Sequence, residues 1–175
     1  MPDFYQKLTD MQGGLEDLIR KVPGFKGYFE KEDRRMADRL LREHIVTVFN
    51  EHSTEFTRLQ RRLIDNGGIM YMERVQGIDS QLRTFINRVE SAAEGYAGLL
   101  DAVKIQEEEL ANVYSFDNAL LAYQDQLLTG LSEFEGAIGT DAVGDVLYQL
   151  DDLLTEMNDT FKRRSEAMQG LQDSV

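Results

Sequence analysis

His52 is one of only two histidines in this 175-residue chain, and carboxylates stand close to it at Glu51 and Glu55. An imidazole with neighbouring carboxylates is a donor set that metal sites in helical bundles use. A ferritin-like di-metal centre would need Glu-x-x-His motifs facing inward from two helices. No Glu-x-x-His occurs, and the other histidine, His44, lies eight residues earlier on the same predicted helix. The cluster is therefore one-sided. The commoner role for a histidine on an apolar stripe is a buried, hydrogen-bonded one, with His52, Glu51 and Glu55 remaining the metal candidates. Ser53 adjoins His52, but sequence neighbours on a helix point apart, so no Ser-His-Asp triad is expected. Glu107, Glu108 and Glu109 form a run of acids. At a helix start such a run is stabilised by the helix dipole and needs no cation.

The stretch 23–42, PGFKGYFEKEDRRMADRLLR, raises the question of a phosphate-gripping loop. Such loops aim backbone N–H groups at an anion, usually after a strand. This one follows an amphipathic helix pattern and lacks both the GxxxxGK[ST] and the GxGxxG spacing. The simpler reading is a helix stop at Pro23-Gly24, an aromatic plug of Phe25, Tyr28 and Phe29, and a new helix start. Interleaved charges such as Glu30–Arg34 and Asp38–Arg42, spaced i,i+4, support that helix. A second Gly-aromatic stretch, GYAGLLDAVKIQEEEL, begins at 95. The two stretches supply the partner-binding candidates: Phe25, Lys26, Tyr28, Tyr96, Asp101 and Lys104.

These stretches also carry a resemblance. GFKGYFEKEDRRMADRLLR and GYAGLLDAVKIQEEEL, with the following VYSFDNALL, resemble a group of uncharacterised all-helical bacterial proteins. The resemblance covers residues 23–42 and 94–121. It implies an all-helical fold and carries no activity and no catalytic residue.

The elements that must position these residues are legible in the apolar spacing. Val75, Ile78, Leu82, Phe85, Val89, Ala92, Tyr96, Leu99 and Val103 alternate three and four residues apart, a heptad seam. Ile45, Phe49, His52, Phe56, Leu59 and Leu63 form a second seam, continued upstream by Leu41 and Ala37. Leu110, Val113, Phe116, Leu120, Tyr123, Leu127, Leu131, Phe134 and Ile138 form a third. Val143, Leu147, Leu150, Leu154, Met157 and Phe161 form a fourth, which reaches Met168 and Leu171 after a polar step at Arg164. Asp117 is the one carboxylate that also falls inward. A shorter stripe, Phe4 to Val22, precedes them all.

The spacing predicts helices over about 3–21, 30–65, 71–101, 106–137 and 141–171, in a single all-α domain. Asn66-Gly67-Gly68 and Gly139-Thr140-Asp141 supply C-terminal stops and a new N-cap. A turn is expected near Asp101–Ile105. Short connections make sequential helices antiparallel. The expected architecture is an antiparallel four-helix bundle or a pair of elongated helical hairpins, with an additional short N-terminal helix. Only two prolines occur, at Pro2 and Pro23, as long helices require.

The net charge is −13 and uneven: residues 1–89 carry +1 and residues 90–175 carry −14. The halves would complement each other by packing together, or the acidic half would meet a basic partner. An acidic chain lacks the footprint for nucleic acid. No apolar run is long enough to span a bilayer, and the first residues have no secretory pattern. There is no Cys, which excludes thiolate sites and disulfides and makes the cytoplasm the default location. The resulting expectation is a non-enzymatic helical scaffold, adaptor or assembly subunit. It has no cofactor, works through protein contacts, and is prone to homo-oligomer formation because heptad helices pair readily. The alternatives are a ferritin-like metal or redox bundle and peripheral membrane association through the 3–21 helix. That helix lacks the basic polar face usual at lipid interfaces.

Overall fold

The structure is a computed structural model and describes residues 19–24, 26, 34–92 and 107–172. The described residues are all-α, with no strand. The four long helices are α1 (Arg34–Asp65), α2 (Met72–Ser91), α3 (Glu107–Ala137) and α4 (Val143–Gln172), and a 3-10 turn (Gly68–Tyr71) leads into α2. The sequence expects the second of these to run to 101. The described residues carry it to Ser91, and the turn expected near 101–105 lies outside them, as does most of the 3–21 helix.

The described part of each seam is spent on the interior. Ile45, Phe49, Phe56, Leu59 and Leu63 of α1 meet Val75, Ile78, Leu82, Phe85 and Val89 of α2 in one core with Leu120, Leu127, Leu131 and Phe134 of α3 and the 143–161 seam of α4. Aromatic rings join the layers: Phe49 to Phe85 at 4.8 Å, Phe56 to Phe134 at 5.8 Å and Phe85 to Phe161 at 6.0 Å between centroids.

Two left-handed glycines reverse the chain. Gly67 has φ 82° and Gly139 φ 85°, a conformation that side-chain-bearing residues rarely adopt. Asn66 closes α1 with its side-chain amide on the Arg62 carbonyl at 2.8 Å. Gly68 is buried, and a Cβ there would overlap the Leu63 side chain. In the second turn the Thr140 hydroxyl donates to the Ala137 carbonyl at 2.7 Å and accepts from the Ala142 N–H at 3.2 Å. Thr140, rather than Asp141, is therefore the residue whose side chain serves the start of α4.

The helices are antiparallel within each hairpin and parallel between hairpins. Tyr123 of α3 meets Glu156 and Thr160 of α4, whereas Gly130 meets Leu150, so those partners run in opposite directions. Between α2 and α4 the numbers rise together, from Arg74 on Tyr148 through Gln81 on Thr155 to Arg88 on Asn158. Both turns therefore lie at one end, where a Cβ on Gly139 would stand 3.8 Å from Asn66 Oδ1. Near the N-terminus, residues 19–21 are helical and Gly24 turns with φ 82°. Val22 is buried there, and Lys21 Nζ reaches Asp125 of α3 at 3.0 Å.

Candidate functional site

Among the proposed metal ligands, His52 alone faces inward. It is 8% exposed and its ring meets Phe49 edge-on at 5.8 Å. Burial holds its imidazole below the ordinary histidine value. The carboxylates of Glu51 and Asp125 and the main chain of Gln124 pull the other way without cancelling that effect. The sequence favours a hydrogen-bonded histidine here. The ring is buried and meets the main chain of Gln124, while its Nε2 has no hydrogen-bond partner among the described residues.

Glu51 is exposed and Glu55 is engaged by Arg58, whose hydrogen bond holds the Glu55 carboxyl below its usual range. Glu51 and His52 are sequence neighbours that point apart on α1, so His52 turns to the core while Glu51 faces solvent. Among the described residues, no group of three His, Asp or Glu side chains is placed to hold a metal ion. Of the partner-binding candidates, Lys26 is exposed. Phe25, Tyr28, Tyr96, Asp101 and Lys104 lie outside the described residues.

Two inward polar residues do meet. Arg164 Nε donates to Asp117 Oδ1 at 2.6 Å, with side chains 1% and 3% exposed. Both were legible as inward positions; their pairing across 47 residues was not. The contact ties α3 to α4 as a buried ion pair. Such a pair contributes register more dependably than net stability.

The α2–α4 contact is polar on its outer side. Gln81 donates to Asp151 and accepts from Thr155 at 3.1 Å, and the Asn158 amide reaches the Gln81 carbonyl at 3.2 Å. Arg88 completes this ladder on Asn158 at 3.1 Å. Its groups satisfy one another, so it reads as a register device.

Between α3 and α4 the outer surface is different. Gly130 lets the helices approach so closely that a Cβ there would lie 2.7 Å from Leu150 Cδ2. Beside this contact lies a groove of about 310 Å³ over Gly130, Val146, Leu150 and Leu153, bordered by Gln126, Glu133 and Gln149. Asp145 and Asp152 stand four before and three after Gln149, and Glu156 three after Leu153. These spacings place all three on the same helix face as the groove.

The electrostatics of this hairpin are one-signed. Residues 105–161 contain thirteen Asp or Glu and no Lys or Arg. The rest of the molecule answers some of them. Glu135 meets Arg58 at 2.9 Å and Arg62 at 2.6 Å, and Asp125 meets Lys21. Glu133, Asp141, Asp145, Asp152 and Asp159 are exposed. The halves are thus complementary where they touch, and the acidic excess faces solvent.

A second exposed feature sits at the turn end. Ile69 and Met70 are 68% and 81% exposed beside Ile64, on the tight turn that Gly67 and Gly68 shape. Among the described residues no helix is long and apolar enough to cross a membrane. No family model matches the chain, and neither the curated proteins nor the solved structures contain a significant match.

Proposed function

We propose that the chain is a non-enzymatic helical scaffold or adaptor that works by binding another protein on the surface of the α3–α4 hairpin. The observation that carries this reading is the exposed acidic excess of that hairpin, which Arg58 and Arg62 of α1 answer at Glu135 and Lys21 at Asp125, only in part. Unbalanced surface charge costs self-repulsion and speeds encounter with an opposite partner.

A different protein is favoured over a second copy. The described parts of the seams are spent inside the bundle, and like-charged α3–α4 surfaces repel. The exposed large apolar side chains of the described residues are Ile64, Ile69, Met70, Leu128 and Tyr148, which make no second heptad stripe. The cytoplasm is the compartment we assign, in keeping with a chain without Cys.

The test is affinity capture from lysate of the native cell, with the wild-type chain and a variant carrying Asp141→Asn, Asp145→Asn, Asp152→Asn and Asp159→Asn. A defined protein held by the wild type and lost by the variant, at unchanged helicity, is the expected result. Native mass spectrometry of the purified chain supplies the contrary outcome. A stoichiometric metal or small molecule on the 20.0 kDa chain would overturn the scaffold reading.

A further inference from the structure

The groove between α3 and α4 narrows the partner's chemistry, given that scaffold reading. We infer that it takes one face of a basic amphipathic helix from the partner. The floor is apolar where Val146, Leu150 and Leu153 pass beside Gly130, and the Leu150 side chain takes the space a Cβ would need there. A glycine in mid-helix is unfavourable relative to alanine, so its presence in α3 goes with the close approach it permits.

The borders are acidic or neutral: Glu133 on α3, and Asp145, Asp152 and Glu156 on the stripe of α4 that flanks the floor. An apolar floor between carboxylate rims complements a helix with apolar residues at i, i+3, i+4 and i+7 and Lys or Arg on either side. An extended acidic or neutral peptide would meet repulsion or leave the rims unanswered.

The size of the groove sets the strength. Lining residues run from Gln126 to Glu133 and from Val146 to Leu153, roughly 10 Å of helix at 1.5 Å per residue. The occupant seats about two turns, which makes a small, transient and salt-sensitive contact.

The experiment uses the full chain, labelled with nitrogen-15, and an 18-residue Leu/Lys peptide of helical amphipathic order. A peptide of the same composition in scrambled order is the control. The expected result is amide shifts concentrated in 126–133 and 146–153. Affinity should fall at least tenfold for the scrambled peptide, and at least tenfold again in an Glu133→Lys, Asp152→Lys variant. Both substituted residues are exposed, so circular dichroism should stay unchanged. Equal binding of the scrambled peptide would show charge attraction without a groove and overturn the inference. So would shifts centred on Ile69 and Met70, or no binding at 0.1 M salt. Those failures leave the scaffold reading standing if the acid-neutralised variant still loses its captured protein, so the two ideas fail separately.

Discussion

The hairpin of α1 and α2 and the hairpin of α3 and α4 bury their seams equally well, yet they present different surfaces. Phe49, Phe56, Val75 and Phe85 in the first are as fully enclosed as Leu127, Phe134, Leu147 and Leu154 in the second. Counting Lys and Arg against Asp and Glu, however, residues 34–92 carry +2 and residues 107–172 carry −11. One hairpin ends in a tight apolar turn, whereas the other carries an open groove beside a mid-helix glycine. The lesson is that the three-four apolar spacing specifies assembly and leaves the outer faces free to specify a partner.

The largest expected effect separates the buried ion pair of the second hairpin from the surface pair that reaches it from residue 21. Arg164→Ala should cost about 3–5 kcal/mol in urea unfolding, because a buried ionic contact is broken one-sidedly. The double change Asp117→Leu with Arg164→Met should recover most of that loss. Lys21→Ala, at the exposed pair with Asp125, should cost no more than about 1 kcal/mol. Equal costs for Arg164→Ala and Lys21→Ala would erase the distinction.

Glycines sharpen the contrast at a smaller scale. Gly130→Val should destabilise by about 1–3 kcal/mol, since its side chain collides with Leu150. Gly77 of α2 has open space where a Cβ would go, and Gly77→Ala should stabilise by about 0.5–1 kcal/mol through helix propensity. Thermal melts of both variants check the opposite signs.

Acid should act on the α1–α3 contact first. The His52 imidazole is held below its ordinary value of 6.5 by burial, and His44 is lowered for the same reason. Just below pH 6.5 the unfolded chain therefore binds more protons than the folded one. Stability falls as pH drops through that value and continues to fall until the folded-state pKa is passed. The groups facing His52 are Glu51 on its own helix and Gln124 and Asp125 on α3, the latter paired with Lys21. His52→Gln should flatten this slope in urea titrations between pH 7 and 5. An unchanged slope would place the titration elsewhere.

The smallest effect belongs to the first hairpin's tip. Ile69→Ser with Met70→Ser should change stability by no more than about 0.5 kcal/mol, because both side chains are already in solvent. A loss of several kcal/mol would mean that the tip is packed.

Which residues face inward was largely legible in the sequence. Every described side chain of the 45–63, 75–89 and 143–161 seams is buried, and Phe116, Ala92 and Ile138 at the seam ends are half-buried. The inward placement of Asp117 and the polar step at Arg164 were also readable. Their meeting was not, because periodicity assigns a residue to a face and leaves open which helix that face meets. The same gap hid the parallel packing of the hairpins and the proximity of Gln124 to His52.

The groove left a weaker trace. Gly130 interrupts a helical pattern without ending it, a sign of close approach that only the opposing Leu150 makes specific. The candidates at Phe25, Tyr28, Tyr96, Asp101 and Lys104 rested on motif and composition, which name unusual stretches without placing them. The His52, Glu51 and Glu55 set is divided by the helix surface: His52 turns to the core, Glu51 to solvent, and Glu55 meets Arg58.

The most direct measurement is photocrosslinking in the native cell, with a benzophenone amino acid placed either at Gln149 beside the groove or at exposed Asn87 on α2. Docking on the second hairpin predicts one defined crosslinked protein from position 149, with the joined peptide rich in Lys or Arg and of helical apolar spacing, and none from position 87. Crosslinks from position 87 alone, equal crosslinks from both, or a joined peptide without basic residues would contradict it.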